Sequence, residues 1–137
     1  FAHFVPAQSM VYDEVIQELG QGRKETHWMC YIFPQLKGLG TSLKAQKYGI
    51  DNLPHATDYL QHPVLGLRLL QCTRLVLTHR DKHPSQIFIE VDTLKFRSCM
   101  TLFKNVPNSD YCFRDALMLF FNNEVDPRTR ALLGLDN

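Results

Sequence analysis

A glycine-flanked loop, Gly38-Leu39-Gly40-Thr41-Ser42, leads into a stretch carrying Lys44 and Lys47. Two glycines let a backbone approach a ligand closely, and free N–H groups at a helix start favour anions. The GxxxxGK[ST] spacing of a P-loop is absent. The same residues also fit a glycine turn followed by a Ser or Thr cap. Next in interest is His27 beside Trp28. An imidazole can act as a general base near neutral pH, and an indole can stack on a flat ligand. The structural alternative is a buried aromatic with a hydrogen-bonded imidazole at the start of a core helix. A third group is polar residues set among apolar ones. Arg68 stands amid Leu65, Leu67 and Leu69, Lys95 and Ser98 are one helical turn apart, and Gln35 follows Phe33-Pro34.

Polar groups in apolar surroundings need partners. They can satisfy one another, or they can converge on a ligand. His27, Arg68 and Lys95 are expected to converge, and two cations meeting inside a fold require an acid or a bound anion. Asp92 is the nearest acid by sequence. The candidate ligand-binding set is therefore His27, Trp28, Gln35, Gly38, Gly40, Ser42, Arg68, Lys95 and Ser98. The expected ligand is a small anionic or nucleotide-like molecule. The competing expectation is a non-enzymatic protein-interaction module whose polar motif residues lock helix junctions. No catalytic residue, cofactor or metal is assigned. His79 and His83 have a zinc-compatible spacing but lie with Arg80 and Lys82 in a polar stretch before Pro84, which reads as a solvated loop. HExxH, GxSxG and GxGxxG do not occur. Asp13, Glu14 and Glu18 read as the exposed face of a first helix, without the apolar setting that tunes paired carboxylates.

The elements that must position these groups are helical by pattern. Tyr12, Ile16 and Leu19 share a stripe with Val11 and Val15, and Gly20 is the expected stop. Asn52 caps a helix over 52–61 with Pro54 early in it. His62-Pro63 breaks that helix and opens another, whose stripe of Leu65, Leu69, Cys72 and Val76 continues to about His79. Asp92 is the expected cap of a helix with Phe96, Met100 and Phe103 on one face. Pro107 ends it, and Asn108 or Ser109 caps the next, with Phe113, Leu117 and Phe120. Asp126-Pro127 opens a short last helix, and Gly134 suits its end. Residues 28–33 and 87–91 are rich in aromatic and β-branched types and have strand propensity. They read as buried helical turns. The fold class is all-α, a compact orthogonal bundle of about six to eight helices, with residues 1–137 as a single domain.

Composition bounds the function. The 137 residues are 45% hydrophobic and 21% charged, close to the globular average. Fifteen basic and fourteen acidic residues leave a net charge of +1, which argues against nucleic acid as a partner and gives no attraction to an anionic membrane. No apolar run approaches the roughly 18 residues of a membrane span. Cys30, Cys72, Cys99 and Cys112 sit in apolar runs without CxxC spacing. Four reduced core thiols and a cytoplasmic location are the expectation. No signal-peptide pattern is visible, and a chain opening at Phe1 is expected to lack a few preceding residues.

Several motifs recur in a familiar order. They are Gly22-Arg23-Lys24, His27-Trp28-Met29 running into Phe33-Pro34-Gln35, Gly38-Leu39-Gly40 with Ser42, Ala45-Gln46 with Tyr48, and Tyr59-Leu60. After them come His62-Pro63-Val64-Leu65-Gly66, Arg68-Leu69, Leu94-Lys95, Ser98, Met100-Thr101-Leu102-Phe103, Asp126-Pro127 and Leu133-Gly134. In this order the chain resembles, over nearly its whole length, the bacterial family catalogued as domain of unknown function 1810. The resemblance implies helix for residues 28–33 and 87–91 and brings no established activity. Some members carry the label calpastatin, which denotes a long disordered inhibitor and does not fit so compact a composition. The chain departs from the family pattern at Cys30, where tryptophan is common, at Cys99, where serine is usual, and over 78–91.

Overall fold

The first helix begins within the opening residues and sets the frame for the rest. In a computed structural model that describes residues 1–135, α1 runs over Phe4–Gln21. It is followed by α2 (Met29–Ile32), α3 (Leu43–Lys47), α4 (Leu53–Gln61), α5 (Leu65–Leu77), α6 (Pro84–Ile87), α7 (Glu90–Lys104), α8 (Cys112–Phe121) and α9 (Pro127–Leu132). The described residues thus form nine helices, six of them longer than five residues and three of four or five residues. The all-helical class holds, with one isolated parallel bridge between Leu36 and Ile50. In that bridge Lys37 N–H donates to Ile50 O at 2.9 Å, and Ile50 N–H donates to Gln35 O at 2.8 Å. It pins the base of the excursion that carries the glycine loop and α3.

Capping chemistry explains most of the helix starts. Asn52 Oδ1 accepts from His55 N–H, Ser42 Oγ from Ala45 N–H, and Asp126 from Thr129 N–H. Five local expectations are corrected. Helix α1 runs past Gly20 to Gly22, whose φ of 77° supplies the left-handed turn. There the C-terminus of α1 meets His79 Nε2, 2.8 Å from Leu19 O, and Lys82 Nζ, 3.3 Å from Gly22 O. His79 therefore packs on a helix end, while His83 caps α6. Helix α7 begins at Glu90, two residues before Asp92, behind extended Phe88 and Ile89. Residues 87–91 are thus a junction between two helices rather than one helical turn, whereas Met29–Ile32 is helical as expected. Asn108 and Ser109 do not cap α8; Asp110 Oδ1 accepts from Cys112 N–H at 2.9 Å instead.

Helix α5 is the central strut, packed against α1, α4 and α8, while α7 lies against α8, α9, α4 and α6. Gly66 permits the tight α4–α5 crossing, because a Cβ there would overlap the Leu60 carbonyl oxygen. An aromatic trio joins the parts that matter below. Phe33 meets Phe96 edge-on at 5.1 Å between ring centroids, and Phe88 stacks on Phe96 at 4.9 Å. All three rings are buried. The end of α2, the α6–α7 junction and the first half of α7 are thereby fixed to one another, and offset or edge-on pairing adds to the area buried.

Candidate functional site

The loop between α1 and α2 is folded around one carboxylate. Glu18, on the last turn of α1, is 7% exposed. Its Oε1 accepts from Glu25 N–H at 2.7 Å, Thr26 N–H at 2.9 Å and Trp28 Nε1 at 3.0 Å, and its Oε2 accepts from the Thr26 hydroxyl at 2.6 Å. Burial alone would raise the carboxyl pKa. The hydrogen bonds from Thr26, Glu25 and Trp28 outweigh it and hold the group below its ordinary value. Glu18 is thus not part of an exposed helix face.

So held, the loop presents Lys24 and Trp28 to α7. Lys24 N–H donates to Ile87 O at 2.7 Å, tying the loop to α6. Lys24 Nζ lies 2.8 Å from Asp92 Oδ2 and 5.1 Å from the Trp28 ring centre. Both members of this ion pair are nearly enclosed, with side-chain exposures of 7% and 9%. Lys95, one turn along α7, brings its Nζ within 3.9 Å of Asp92 Oδ1. Across from α7, Lys44 Nζ sits 5.9 Å from the Tyr31 ring centre.

These groups enclose a cleft of about 640 Å³ between α2, α3 and the start of α7. Lys24, Lys44 and Lys95 line it, and Asp92 is the carboxylate among its lining residues. Leu43, Ile89 and Val91 form an apolar lip, and they are 84%, 64% and 60% exposed. An adjoining hollow of about 10 Å³, roomy enough for about one water, shares Cys30 and Lys44 with the cleft.

The structure brings some of the sequence-derived candidates together and separates others. His27, Trp28, Ser42 and Lys95 line the cleft. His27 is at the exposed rim, and Trp28 is a buried wall, 1% exposed. The Ser42 hydroxyl is engaged in capping α3. Gln35 and Gly40 line the small hollow, and a Cβ on Gly40 would collide with Ala45. Gly38, at φ 100°, turns away toward α9, where Arg128 donates to its carbonyl at 3.4 Å. Ser98 is buried and donates to Leu94 O at 3.0 Å. Arg68 is elsewhere: it donates to Gln8 at 3.3 Å and to Ser9 at 3.2 Å, and it lies 4.8 Å from the Tyr12 ring centre. The expected convergence of His27, Arg68 and Lys95 therefore does not form. The second cation beside Lys95 is Lys24, and the acid between them is Asp92.

Sequence reasoning missed Glu18, Lys24 and the lip. Lys24 lies in the Gly22-Arg23-Lys24 motif that contributes to the family resemblance, but next to Arg23 in a polar run, with nothing local to mark it as buried. Among the described residues no cluster of three His, Cys, Asp or Glu side chains has a metal-holding arrangement, and no helix is long and apolar enough to cross a membrane.

All four cysteines are unpaired. Burial pushes the Cys72 thiol up to about 12 and raises Cys99 and Cys112 as well, with the Asp110 carboxylate adding to the effect at Cys112. Cys30 is half-buried and faces the cleft. Because the thiolate is the reactive species, brief alkylation of the native protein is expected to label Cys30 and spare the other three. Denaturation should release all four, as intact mass and peptide mapping would show. Equal native labelling of Cys72 or Cys99 would contradict this burial.

Over residues 1–133 the chain matches the family described as "protein of unknown function (DUF1810)". It is also similar to a solved structure, that of the conserved hypothetical protein Rv1873 from Mycobacterium tuberculosis. The identity is 44%, the TM-score is 0.95, and the match covers 97% of this chain and 95% of that one. No curated protein matches the chain.

Proposed function

The chain belongs to the family of unknown function DUF1810, and since membership brings no activity with it, we propose from the cleft itself that the protein binds a small anionic ligand. One observation carries this reading: Lys24, Lys44 and Lys95 line a single cleft against one lining carboxylate, Asp92. The chain as a whole is nearly neutral, so this local excess is not a reflection of general basicity. A volume of about 640 Å³ lies within the usual range for small-molecule sites. Lys24 is committed to Asp92, whereas Lys95, a third exposed and 3.9 Å from Asp92, is free to swing to an incoming anion. Lys44 faces it from the opposite wall. A nucleotide-like ligand is included in this reading. The reading is one of binding and assigns no catalytic residue.

A thermal-shift comparison with phosphate, sulfate, small carboxylates and adenine nucleotides tests it. A ligand that binds only the folded state adds about 2.7 kcal/mol at a hundred times its Kd. Lys95→Met should abolish the shift and leave the unliganded protein within about 0.5 kcal/mol of its original stability, since a loose, partly exposed pair contributes little. Absence of a shift with every anion, or unfolding of the Lys95→Met protein, would defeat the reading. The exposed Leu43, Ile89 and Val91 favour a second reading, in which the lip receives a segment of another protein. That reading predicts no response to small anions.

A further inference from the structure

Resting on the anion-binding reading, we infer that the ligand is a soluble carboxylate with an aliphatic chain, of short to medium length, rather than a nucleotide. A nucleobase needs an open ring face to stack on. The two aromatic residues that line the cleft offer little. Trp28 is buried, with Lys24 Nζ 5.1 Å from its ring centre. Tyr31 has Lys44 Nζ 5.9 Å from its ring centre and packs edge-on against Tyr48 at 5.1 Å. His27 leaves a ring at the rim, but that side chain is exposed and has no ring hydrogen bond among the described residues to hold it as a platform. The cleft offers instead the unpartnered aliphatic side chains of Leu43, Ile89 and Val91, placed on α3 and at the start of α7. These flank the same opening as Lys44 and Lys95. A chain laid between the lip residues would bring an acid head to the two lysines, so the apolar and cationic surfaces match the two ends of one molecule. The polar atoms a ribose and base would need are few there: the Ser42 oxygen already accepts from Ala45 N–H, which leaves that hydroxyl chiefly its one proton to donate.

Calorimetry with butanoate, hexanoate and octanoate, beside inorganic phosphate and AMP, separates the possibilities. The expected result is an affinity that rises about fourfold per methylene, the factor that burial of a CH₂ group supplies, with AMP and phosphate weaker than octanoate. Leu43→Ser and Ile89→Ser should flatten that dependence. Neither should unfold the protein, because Leu43 is exposed and Ile89 is a helix N-cap with extended backbone that serine suits. Equal affinity along the series, or AMP binding more tightly than octanoate, overturns this inference and leaves the anion reading standing. Failure of every anion overturns both. Vesicles of phosphatidylglycerol and phosphatidylcholine that retain the protein while octanoate does not bind would assign the lip to a lipid surface and overturn the inference. So would an acidic amphipathic peptide that binds in place of octanoate.

Discussion

Replacing Glu18 by Gln lowers the stability of the fold by about 3 kcal/mol near neutral pH, and the deficit closes in acid. The carboxylate takes hydrogen bonds from the Glu25 and Thr26 N–H groups, the Thr26 hydroxyl and the Trp28 indole. Bonds to a charged group each contribute more than neutral ones, and a buried donor left without a partner costs about 1–3 kcal/mol. Gln can keep its oxygen where the Glu25, Thr26 and Trp28 N–H groups converge, but those three bonds then lose the charge that strengthened them, and its NH₂ group meets the Thr26 hydroxyl in place of an acceptor. The pH dependence has a definite sign. The folded pKa of Glu18 lies below its ordinary value of 4.5. Its contribution is therefore complete above that value and is lost as the pH falls through the folded pKa. Urea unfolding of both proteins should differ by a constant amount above about pH 5, and the gap should narrow as the pH falls below 4.5 and close once it is below the lower folded pKa, where the native carboxyl is neutral like the amide. Trp28 is the single tryptophan and bonds to Glu18 directly, so its fluorescence reports the transition. A gap that persists unchanged in strong acid would show that packing, not charge, is what the substitution removes.

Glu18 also shows where sequence reading stops. Beside Asp13 and Glu14 it has the pattern of a solvated helix face, and its neighbours on α1 do not contradict that. Its donors come from a loop seven to ten residues further on, which turns back only because Gly22 adopts a left-handed φ. Periodicity sees one helix at a time. The elements it reads well are those fixed within a few residues, such as the Asn52, Ser42 and Asp126 caps, the Gly134 turn at φ 76° and the stripes of α1, α5, α7 and α8. It misplaces what depends on a second element. Arg68 has the same apolar neighbours on α5 that an inward ligand contact would have, yet Gln8, Ser9 and Tyr12 of α1 take it. Asp92 has the composition of an N-cap, but the extended Phe88-Ile89 pair starts α7 earlier and leaves Asp92 in its first turn, favourably placed for the helix dipole and opposite Lys24. The chemistry at Lys95 was legible as a cation needing an acid or an anion. Which lysine would share that acid was not, because Lys24 reaches it across nearly seventy residues of chain.

That shared acid makes the ion pair asymmetric, and substitution of its two ends should differ accordingly. Asp92→Asn leaves the Lys24 ammonium enclosed with no carboxylate in reach among the described residues, and breaking a buried pair in this way costs about 3–5 kcal/mol. Lys24→Met leaves Asp92 with Lys95, already 3.9 Å away, and keeps an unbranched apolar stem over Trp28. It should cost roughly half as much. The double variant should recover most of the Asp92→Asn loss, because two neutral side chains then share a site that is expensive for one unpaired charge. Thermal and urea melts of the three proteins measure this, and equal losses for the two single variants would mean that Lys95 does not serve Asp92 at all. The same substitution separates structure from function in the proposed cleft. Asp92→Asn removes the carboxylate that competes with an anionic ligand for Lys95 and Lys24. If the cleft binds anions, the folded fraction of this less stable protein should bind octanoate and phosphate several-fold more tightly than the original chain. Affinity that falls in step with stability would instead mark Asp92 as a scaffold for the ligand, and Lys95 as held in place by it rather than restrained.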